Sequence, residues 1–287
     1  MIQPDLIFDV GLHRGEDTAY YLAKGFRVVA FEADPDLAAA CRQRFADRIA
    51  AGRLTVVEGA LVPDHHDGAC IIFYRNLDNS AFGTVDGDWN ARNAALGTRS
   101  QTIEVPALRF SGQIARFGVP HYAKIDIEGL DLDCVAAFRN AADVPDYLSF
   151  ESSKISLDAV ACEIDLLCTL GYDAFAAVQQ MDVRRRRVPI VGADGRTATW
   201  RFPPGASGPF GPDLDADWHD RAGILDRYRR IFALYRRFGD DTVWQRNTIL
   251  RRGTRLFHML TGQALPGWYD THARISTRRG RADAIGS

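Results

Sequence analysis

The sequence predicts an α/β protein built on a doubly wound, mostly parallel β-sheet. Strand-like and helix-like segments alternate through the first two thirds of the chain, and a glycine-containing turn at residues 11–15 joins the first strand to the first helix. Acidic residues also follow several of the strands directly. Such alternation is typical of parallel sheets covered by helices. The apolar fraction of 46% and the charged fraction of 25% are ordinary for a globular domain.

The first unit of the chain predicts a nucleoside site. We expect a strand at residues 5–10, a helix at residues 16–24 and a second strand at residues 27–31 that delivers Glu32. Glu32 falls 21 residues after Gly11. Nucleoside-binding α/β folds place a carboxylate on the ribose hydroxyls at a spacing of about 20 residues. A βαβ unit without a ligand is the alternative.

The residues of the turn indicate which nucleoside. A dinucleotide fingerprint would need glycine at positions 13 and 16, where this chain has His13 and Glu16. Asp17 follows, and two acids in the first helical turn suit the helix dipole but repel a diphosphate. S-adenosylmethionine carries no phosphate, has a sulfonium and an ammonium group, and offers a ribose to Glu32. The turn therefore favours S-adenosylmethionine over NAD.

The remaining elements follow from apolar periodicity and turn-forming residues. We expect strands at residues 54–58, 69–74, 103–105, 121–127 and 147–150, and helices at residues 36–49, 111–117, 130–140, 157–170, 221–238 and 242–261. Residues 76–100 are expected to form a loop.

Residues 172–178 and 198–202 are expected to pair as a hairpin around the arginine run at residues 184–187, which we interpret as a solvated loop. Residues 203–212 are rich in proline and glycine and predict a linker. This linker divides the chain into a cofactor-binding domain, residues 1–203, and a linker with a helical extension, residues 204–287.

The net charge of −2 hides an asymmetry along the chain. Residues 1–180 carry 15 Lys and Arg against 26 Asp and Glu, whereas residues 181–287 carry 20 against 11, and all 20 are arginine. We favour a basic C-terminal part that docks on an acidic N-terminal part. A patch for an anionic acceptor is the alternative, but nucleic acid is not the expected partner because no aromatic-basic interleaving accompanies the arginines.

Cysteine usage and hydropathy indicate the compartment. The five scattered cysteines include no C-x-x-C pair, which is typical of reduced thiols in a cytoplasmic protein. No stretch approaches the 18 or so apolar residues of a membrane span. The first strand begins by residue 5, which leaves no room for a signal peptide. We therefore expect a cytoplasmic protein without a membrane span.

Carboxylates follow five of the predicted strands. They are Asp9, Glu32, Glu58, Asp126 and Glu151. Ligands of open α/β sheets bind outside the carboxyl ends of the strands. Together these acids predict a site for a cationic ligand, a divalent metal or both, although helix capping is the alternative for any one of them.

Three charged residues, Lys124, Asp126 and Glu128, interrupt what should be a buried strand. Burying charge is costly unless each group is paired or functional. The chain has only three lysines, and lysine, unlike arginine, can lose its proton when desolvated. Lys124 is therefore a candidate catalytic residue, and a structural Lys124–Glu128 ion pair is the alternative.

With these motifs, the chain resembles the FkbM-type methyltransferases, class I enzymes that use S-adenosylmethionine. The resemblance spans roughly residues 5–180 and rests on Asp9-Val10-Gly11 with Gly15, Phe31-Glu32, the hexapeptide at residues 124–129 and Phe150-Glu151. Two positions depart from the family: His13 replaces the usual Asn, and Arg109 replaces the usual Asp.

The resemblance implies a Rossmann-like sheet of seven strands with a helical C-terminal extension. It also implies O-methylation of a hydroxyl on a sugar, glycan or secondary metabolite. The residues implied in cofactor binding are Asp9, Gly11, Gly15, Thr18, Glu32, Ala33, Gly59, Ala60 and Asp126.

The chemistry leaves several roles open. Methyl transfer needs a collinear arrangement, and an acceptor hydroxyl must lose its proton. Asp126 and Glu151 are catalytic candidates for either role, as a base or as ligands of Mg²⁺; Asp126 is the named base, and we slightly favour metal-free catalysis. His272 is another candidate base, although an exposed polar turn is the simpler interpretation of its surroundings. Residues 64–67, Asp-His-His-Asp, are interpreted as a solvated loop and not as a metal site.

Two other functions stay open. A non-catalytic nucleoside-binding or scaffold protein would account for the Arg109 departure, and an NAD-dependent oxidoreductase is disfavoured by His13 and Glu16. The loop at residues 76–100 and the C-terminal part are expected to shape a pocket for a small-molecule or glycan acceptor. Three tryptophans could pack internally or across a homodimer, namely Trp218, Trp244 and Trp268.

Overall fold

A computed structural model describes residues 1–153, 156–191, 197–238 and 267–278. Its strands are β1 (Ile2–Val10), β2 (Arg27–Glu32), β3 (Leu54–Glu58), β4 (Ala60–Val62), β5 (Cys70–Asn76), β6 (Ser100–Arg109), β7 (Val119–Ile125), β8 (Tyr147–Glu151), β9 (Ala174–Gln179), β10 (Arg187–Val191), β11 (Thr197–Arg201) and β12 (Tyr269–Arg274). Its helices are α1 (Glu16–Ala23), α2 (Pro35–Arg44), α3 (Ala46–Ala50), α4 (Gly87–Ala95), α5 (Phe110–Phe117), α6 (Asp131–Ala137), α7 (Leu157–Thr169) and α8 (Arg221–Phe238).

The main sheet has seven strands in the order β3-β2-β1-β7-β8-β12-β9. β1 pairs in parallel with both β2 and β7, β2 pairs in parallel with β3, and β12 is antiparallel to β9. The mostly parallel α/β fold predicted from the sequence is thereby confirmed. Because β1, β2, β3 and β7 run in parallel, their carboxyl ends share one edge of the sheet, where ligands of such folds bind.

The chain divides into two compact units, Met1–Leu148 with Pro189–Ala198, and Ser149–Val188 with Thr199–Ser287. In the first unit, β1 is buried from Leu6 to Val10 because it is flanked by strands on both sides. Phe8 makes edge-to-face contacts with Phe31 and Phe110, which fill the core under this strand. A smaller sheet in the order β4-β6-β5 completes the unit.

The second unit contains α7, α8, β9 and β12. Helix α8 begins and ends where the sequence predicted, and its apolar stripe, Ile224, Tyr228 and Ile231, is buried. Three buried hydroxyls form a closed triangle: Ser152 Oγ lies 2.6 Å from Thr271 Oγ1, and the Tyr228 hydroxyl lies 2.5 Å from Ser152 Oγ and 2.7 Å from Thr271 Oγ1. The C-terminal part thus supplies a helix, as expected, and also a strand of the main sheet.

The predicted hairpin of residues 172–178 and 198–202 is wrong. β9 pairs with β12, whereas β11 pairs with β10 in a separate two-stranded sheet. A search for alternating apolar residues does not detect β12, because Asp270, Thr271 and His272 are polar. All three are nevertheless buried. The triangle of hydroxyls satisfies Thr271 and allows such a strand to lie inside the sheet.

Three other local differences follow from packing or from helix capping. The predicted helix at residues 36–49 is broken at Phe45, whose ring packs against Gly15. The expected loop at residues 76–100 contains α4, because Asp86 caps the helix by accepting the backbone N–H groups of Asp88 and Trp89. The Pro- and Gly-rich segment is buried from residue 206 to residue 211, so that part of the expected linker is packed.

The arginine run, the cysteines and the helices each bear on a prediction from the sequence. Arg184, Arg185 and Arg187 are exposed and Arg186 is half-buried, but the expected loop is wrong, because Arg184 and Arg185 end a 3₁₀ helix (Gln180–Arg185) and Arg187 begins β10. All five cysteines are free thiols. Within the described ranges, no helix combines the length and apolarity of a transmembrane segment. The predicted helix at residues 242–261, with Trp244, lies outside the described residues.

Candidate functional site

The turn after β1 touches the end of β7 through backbone atoms. Gly11 has a φ of +86°, and a Cβ atom placed on it would lie 1.9 Å from the carbonyl oxygen of Asp126. The backbone N–H of Asp126 donates to the carbonyl of Val10 at 3.0 Å. Only glycine combines this φ with so close an approach. Gly11 therefore holds the two loops together at the carboxyl edge of the sheet.

Every backbone N–H of the turn already has an acceptor within the protein. The pairs are Gly11 and Leu12 to the Phe31 carbonyl (3.1 and 2.9 Å), His13 to Glu32 Oε2 (2.7 Å), Arg14 to Glu16 Oε2 (3.1 Å), and Gly15 to the Leu12 carbonyl (2.8 Å). A phosphate at a helix N-terminus depends on free N–H groups of this kind. Residues 11–15 therefore offer a diphosphate no free N–H group, and the acids Glu16 and Asp17 stand at the start of α1.

Glu32 is a buried carboxylate at the end of β2, with 8% of its surface exposed. Oε2 accepts the His13 N–H, and Oε1 accepts the Asp34 N–H at 2.8 Å. Burial raises the pKa of Glu32 to about 7, and the charge of Asp34 adds to the rise, although the two N–H donors oppose it. Each oxygen keeps a second lone pair, so Glu32 can still accept ribose hydroxyls.

Asp9, Thr18 and Lys124 form a buried polar cluster behind the turn. The Thr18 hydroxyl donates to Asp9 Oδ2 at 2.5 Å. Lys124 Nζ donates to the Gly11 carbonyl at 2.9 Å and lies 3.5 Å from both Asp9 Oδ1 and Asp126 Oδ2. One ammonium group thus binds the turn, the end of β1 and the end of β7.

The charge state of Lys124 follows from its neighbours. Burial disfavours the charged ammonium, but Asp126, Asp9 and Asp17 together outweigh burial and raise the pKa of Lys124 above its ordinary value. For Asp9, burial outweighs the Lys124 charge and the Thr18 hydrogen bond, so its pKa is raised. Lys124 stays protonated near neutral pH, which suits an anchoring role better than proton abstraction.

Asp126 is the most accessible acid of this cluster. It directly follows β7, and 43% of its side chain is exposed. Glu58, by contrast, is held by Arg42 at 2.6 Å on the surface of the neighbouring helix. Asp126 can therefore reach a ligand at the edge of the sheet.

Gly59, Ala60 and Ala33 lie beside the end of β2. The Gly59 N–H donates to the Glu32 carbonyl at 2.8 Å. Ala60 is buried in a small cluster with Phe73, and Ala33 packs on that cluster. These residues line the side of the turn that carries Glu32. Gly15, in turn, caps α1 with a φ of +76° and packs on Phe45.

The sequence suggested Asp126 and Glu151 as metal ligands, but the described ranges contain no metal-binding cluster. No group of three or more His, Cys, Asp or Glu side chains there is arranged to hold an ion. Glu151 ends β8 and belongs to the second unit.

At residues 64–67, Arg109 donates twice to the His66 carbonyl (3.1 and 2.9 Å), so the residue that departs from the family stabilises this turn.

His272 lies in the second unit, inside β12, where it pairs with Ala176 of β9. The expectation of an exposed polar turn is wrong, because only 2% of the residue is exposed. Burial, with the charge of Arg186 in second place, lowers the pKa of His272 to about 3. Its imidazole is therefore neutral, and its Nε2 atom has no hydrogen-bond partner among the described residues.

The turn fits S-adenosylmethionine by its chemistry. Its N–H groups are occupied, which disfavours a phosphate, and Glu32 can accept hydroxyls. Four acidic side chains lie around it, Asp9, Glu16, Asp17 and Asp126, against three cations, Lys124, Arg14 and Arg44. Such a field favours a ligand that carries a sulfonium and an ammonium group.

The chain is similar to known methyltransferases. The Methyltransferase FkbM domain matches residues 9–172, more than half of the chain. The probable ribosomal RNA small subunit methyltransferase A of Haloarcula marismortui is 40% identical over 78 residues, which are 27% of this chain and 26% of that protein. The chain thus spans about a quarter of the length of this curated relative.

Two solved structures are also similar to it. Precorrin-6y C5,15-methyltransferase from Geobacter metallireducens is 14% identical, with 70% of this chain and 77% of that chain covered and a TM-score of 0.34. An O-methyltransferase from Bacillus cereus in complex with SAH is 12% identical, with 68% and 71% covered and a TM-score of 0.33. The domain match covers the turn, Glu32, Lys124, Asp126 and Glu151. The chain therefore belongs to the FkbM methyltransferase family, as the resemblance predicted.

Proposed function

We propose that the protein is an S-adenosylmethionine-dependent O-methyltransferase that acts in the cytoplasm on a hydroxyl of a sugar, glycan or secondary metabolite. The observation that carries the proposal is the turn after β1, whose N–H groups are all occupied and whose surroundings are acidic. Family membership supports methyl transfer as the reaction.

The residues of the first unit have distinct roles in this proposal. Glu32 and the turn bind the nucleoside, and Lys124 fixes the relative positions of Gly11 and Asp126. When bound there, S-adenosylmethionine would supply an electrophilic methyl group, with S-adenosylhomocysteine as the by-product. Asp126 accepts the proton that the acceptor hydroxyl loses, so no metal ion is required.

A transfer assay tests this role of Asp126. With labelled S-adenosylmethionine and a panel of sugars, glycans, polyketide alcohols and RNA, the wild type should label a hydroxyl-bearing small molecule or glycan. Asp126→Asn should lower the rate by about 10²–10⁴-fold, the usual contribution of a general base. Asp133→Asn is the matched control, since Asp133 is an exposed acid on α6. Labelling of RNA alone, or an unchanged rate in Asp126→Asn, would contradict the proposal.

Binding of S-adenosylhomocysteine should depend on pH through Glu32. The free protein keeps a proton on Glu32 up to about pH 7, whereas ribose hydroxyls donate best to the ionised form. Binding therefore releases a proton below pH 7. Affinity should rise with pH, by up to about tenfold per pH unit, and level off above pH 7.

Calorimetry at pH 5.5, 6.5 and 7.5 measures this dependence. Glu32→Gln should remove the slope, because the amide does not titrate. Glu58→Gln should keep it, because Glu58 is paired with Arg42 and ends the neighbouring strand. Equal slopes in the wild type and in Glu32→Gln would show that another group titrates.

A further inference from the structure

Residues 77–98, which we name the 77–98 segment, form a closed loop between β5 and β6. At its base, Asn76 Nδ2 donates to Thr98 Oγ1 at 2.7 Å, and the Leu77 N–H donates to the Arg99 carbonyl at 2.8 Å. Arg99 also pairs with Asp78 at 2.8 Å. Because its ends are tied together, the segment docks as one piece.

One side of the segment contacts the turn after β1. Ser80 Oγ lies 2.8 Å from His13 Nε2. The backbone N–H of the same His13 donates to Glu32 Oε2. Glu32, His13 and Ser80 thus form a chain of hydrogen bonds that runs from the proposed ribose acceptor to the segment.

The other side contacts the loop after β7. The buried Thr84 hydroxyl donates to the Glu128 carbonyl at 2.6 Å. Gly129 has a φ of +117°, and a Cβ atom there would lie 2.7 Å from Cδ1 of Trp89. The segment therefore bridges two loops. One is the turn after β1, where His13 binds Glu32, and the other is the loop after β7, which contains the proposed base Asp126.

These contacts place the segment at the carboxyl edge of two adjacent parallel strands, β1 and β7. A ligand that fixes Glu32 also fixes the His13 backbone, and with it the ring that contacts Ser80. Coupling of this kind is reciprocal, so docking of the segment must also favour the ligand. Ser80 thus links the segment to the turn, through the 2.8 Å hydrogen bond to His13 and a longer one, 3.5 Å, from Arg14 Nη2.

We propose that Ser80 is a positioning residue that couples docking of the 77–98 segment to occupancy of the nucleoside site, so that the cofactor binds before the acceptor. The inference rests on the proposed cofactor site. With the cofactor bound, the docked segment forms one wall beside Asp126, and the acceptor enters a site that is already ordered.

Hydrogen exchange of the full chain, with and without S-adenosylhomocysteine, tests this inference. In the wild type, the ligand should slow exchange both at residues 11–34 and in the 77–98 segment, each by about tenfold, the change that 1.4 kcal/mol produces. Ser80→Ala should keep the protection of residues 11–34 and lose most of that in the segment.

Two further variants sharpen the test. Ser111→Ala removes a serine side-chain hydrogen bond outside the segment, from Ser111 Oγ to Asp64 Oδ1. It should behave as the wild type. His13→Asn keeps the backbone donor to Glu32 but removes the ring, so it should reproduce Ser80→Ala, and the double variant should add nothing.

Wild-type protection confined to residues 11–34, or a Ser80→Ala segment protected like the wild type, would overturn the coupling and leave the cofactor site standing. Absence of protection at residues 11–34 as well would overturn the cofactor site and this inference with it.

Discussion

Replacement of Lys124 by methionine is expected to lower the free energy of unfolding by about 3–5 kcal/mol, the range found when one partner of a buried ion pair is removed. The ammonium faces Asp9 and Asp126 and donates to the Gly11 carbonyl. Without it, the Thr18 hydroxyl is the one donor to the buried Asp9 carboxylate among the described residues. Urea unfolding at pH 7, followed by far-UV circular dichroism, measures the loss.

The pH dependence of this loss identifies its cause. Asp9 already has a raised pKa, and removal of the cation raises that pKa further. Protonation of Asp9 then relieves the uncompensated charge, so the loss should shrink as the pH falls from 7 to 5. Lys24→Met, at the C-terminus of α1, should cost less than about 1 kcal/mol. A Lys124→Met variant as stable as the wild type would show that the ammonium does not compensate these carboxylates.

Replacement of Gly11 by alanine is expected to have the second large effect. The new methyl group would meet the Asp126 carbonyl at 1.9 Å, and neither can rotate away because the backbone fixes the position of both. Overpacking and the strained φ each cost about 1–3 kcal/mol. The variant should lose about 3–5 kcal/mol of stability and bind S-adenosylhomocysteine more weakly by at least about a hundredfold.

Gly25→Ala is the matched control for Gly11→Ala. Gly25 has a similar φ of +91°, but no atom lies within 4 Å of the added Cβ. Gly25→Ala should therefore lower the free energy of unfolding by only about 1–2 kcal/mol, the cost of left-handed backbone strain, and leave ligand affinity unchanged. Equal losses in the two variants would mean that the contact between Gly11 and Asp126 is not tight in solution.

Local spacing was sufficient to predict the strand-turn-helix-strand arrangement around the turn. The distance from Gly11 to Glu32 along the chain, and the acids that replace the glycines of a dinucleotide fingerprint, depend on residues that are near neighbours in sequence. β1, α1, β2 and β3 therefore lie where the sequence predicted. The motif at residues 124–129 was also identified, although its lysine pairs with Asp9, which is distant in sequence.

Features that depend on long-range packing were missed. β12 is a polar strand that is buried because Ser152 and Tyr228 satisfy Thr271, and no local pattern reveals those partners. Ser80 and Thr84 act through contacts with His13 and the Glu128 carbonyl, which only the folded chain brings close. The one available local signal was Asp86, a capping residue that announces α4.

Titration calorimetry with S-adenosylhomocysteine and with NAD tests the central claim most directly, since the claim concerns which nucleoside the turn after β1 accepts. We expect S-adenosylhomocysteine to bind and, at 100 times its dissociation constant, to stabilise the protein by about 2.7 kcal/mol, whereas NAD should do neither. Tight binding of NAD together with no heat from S-adenosylhomocysteine would contradict the account.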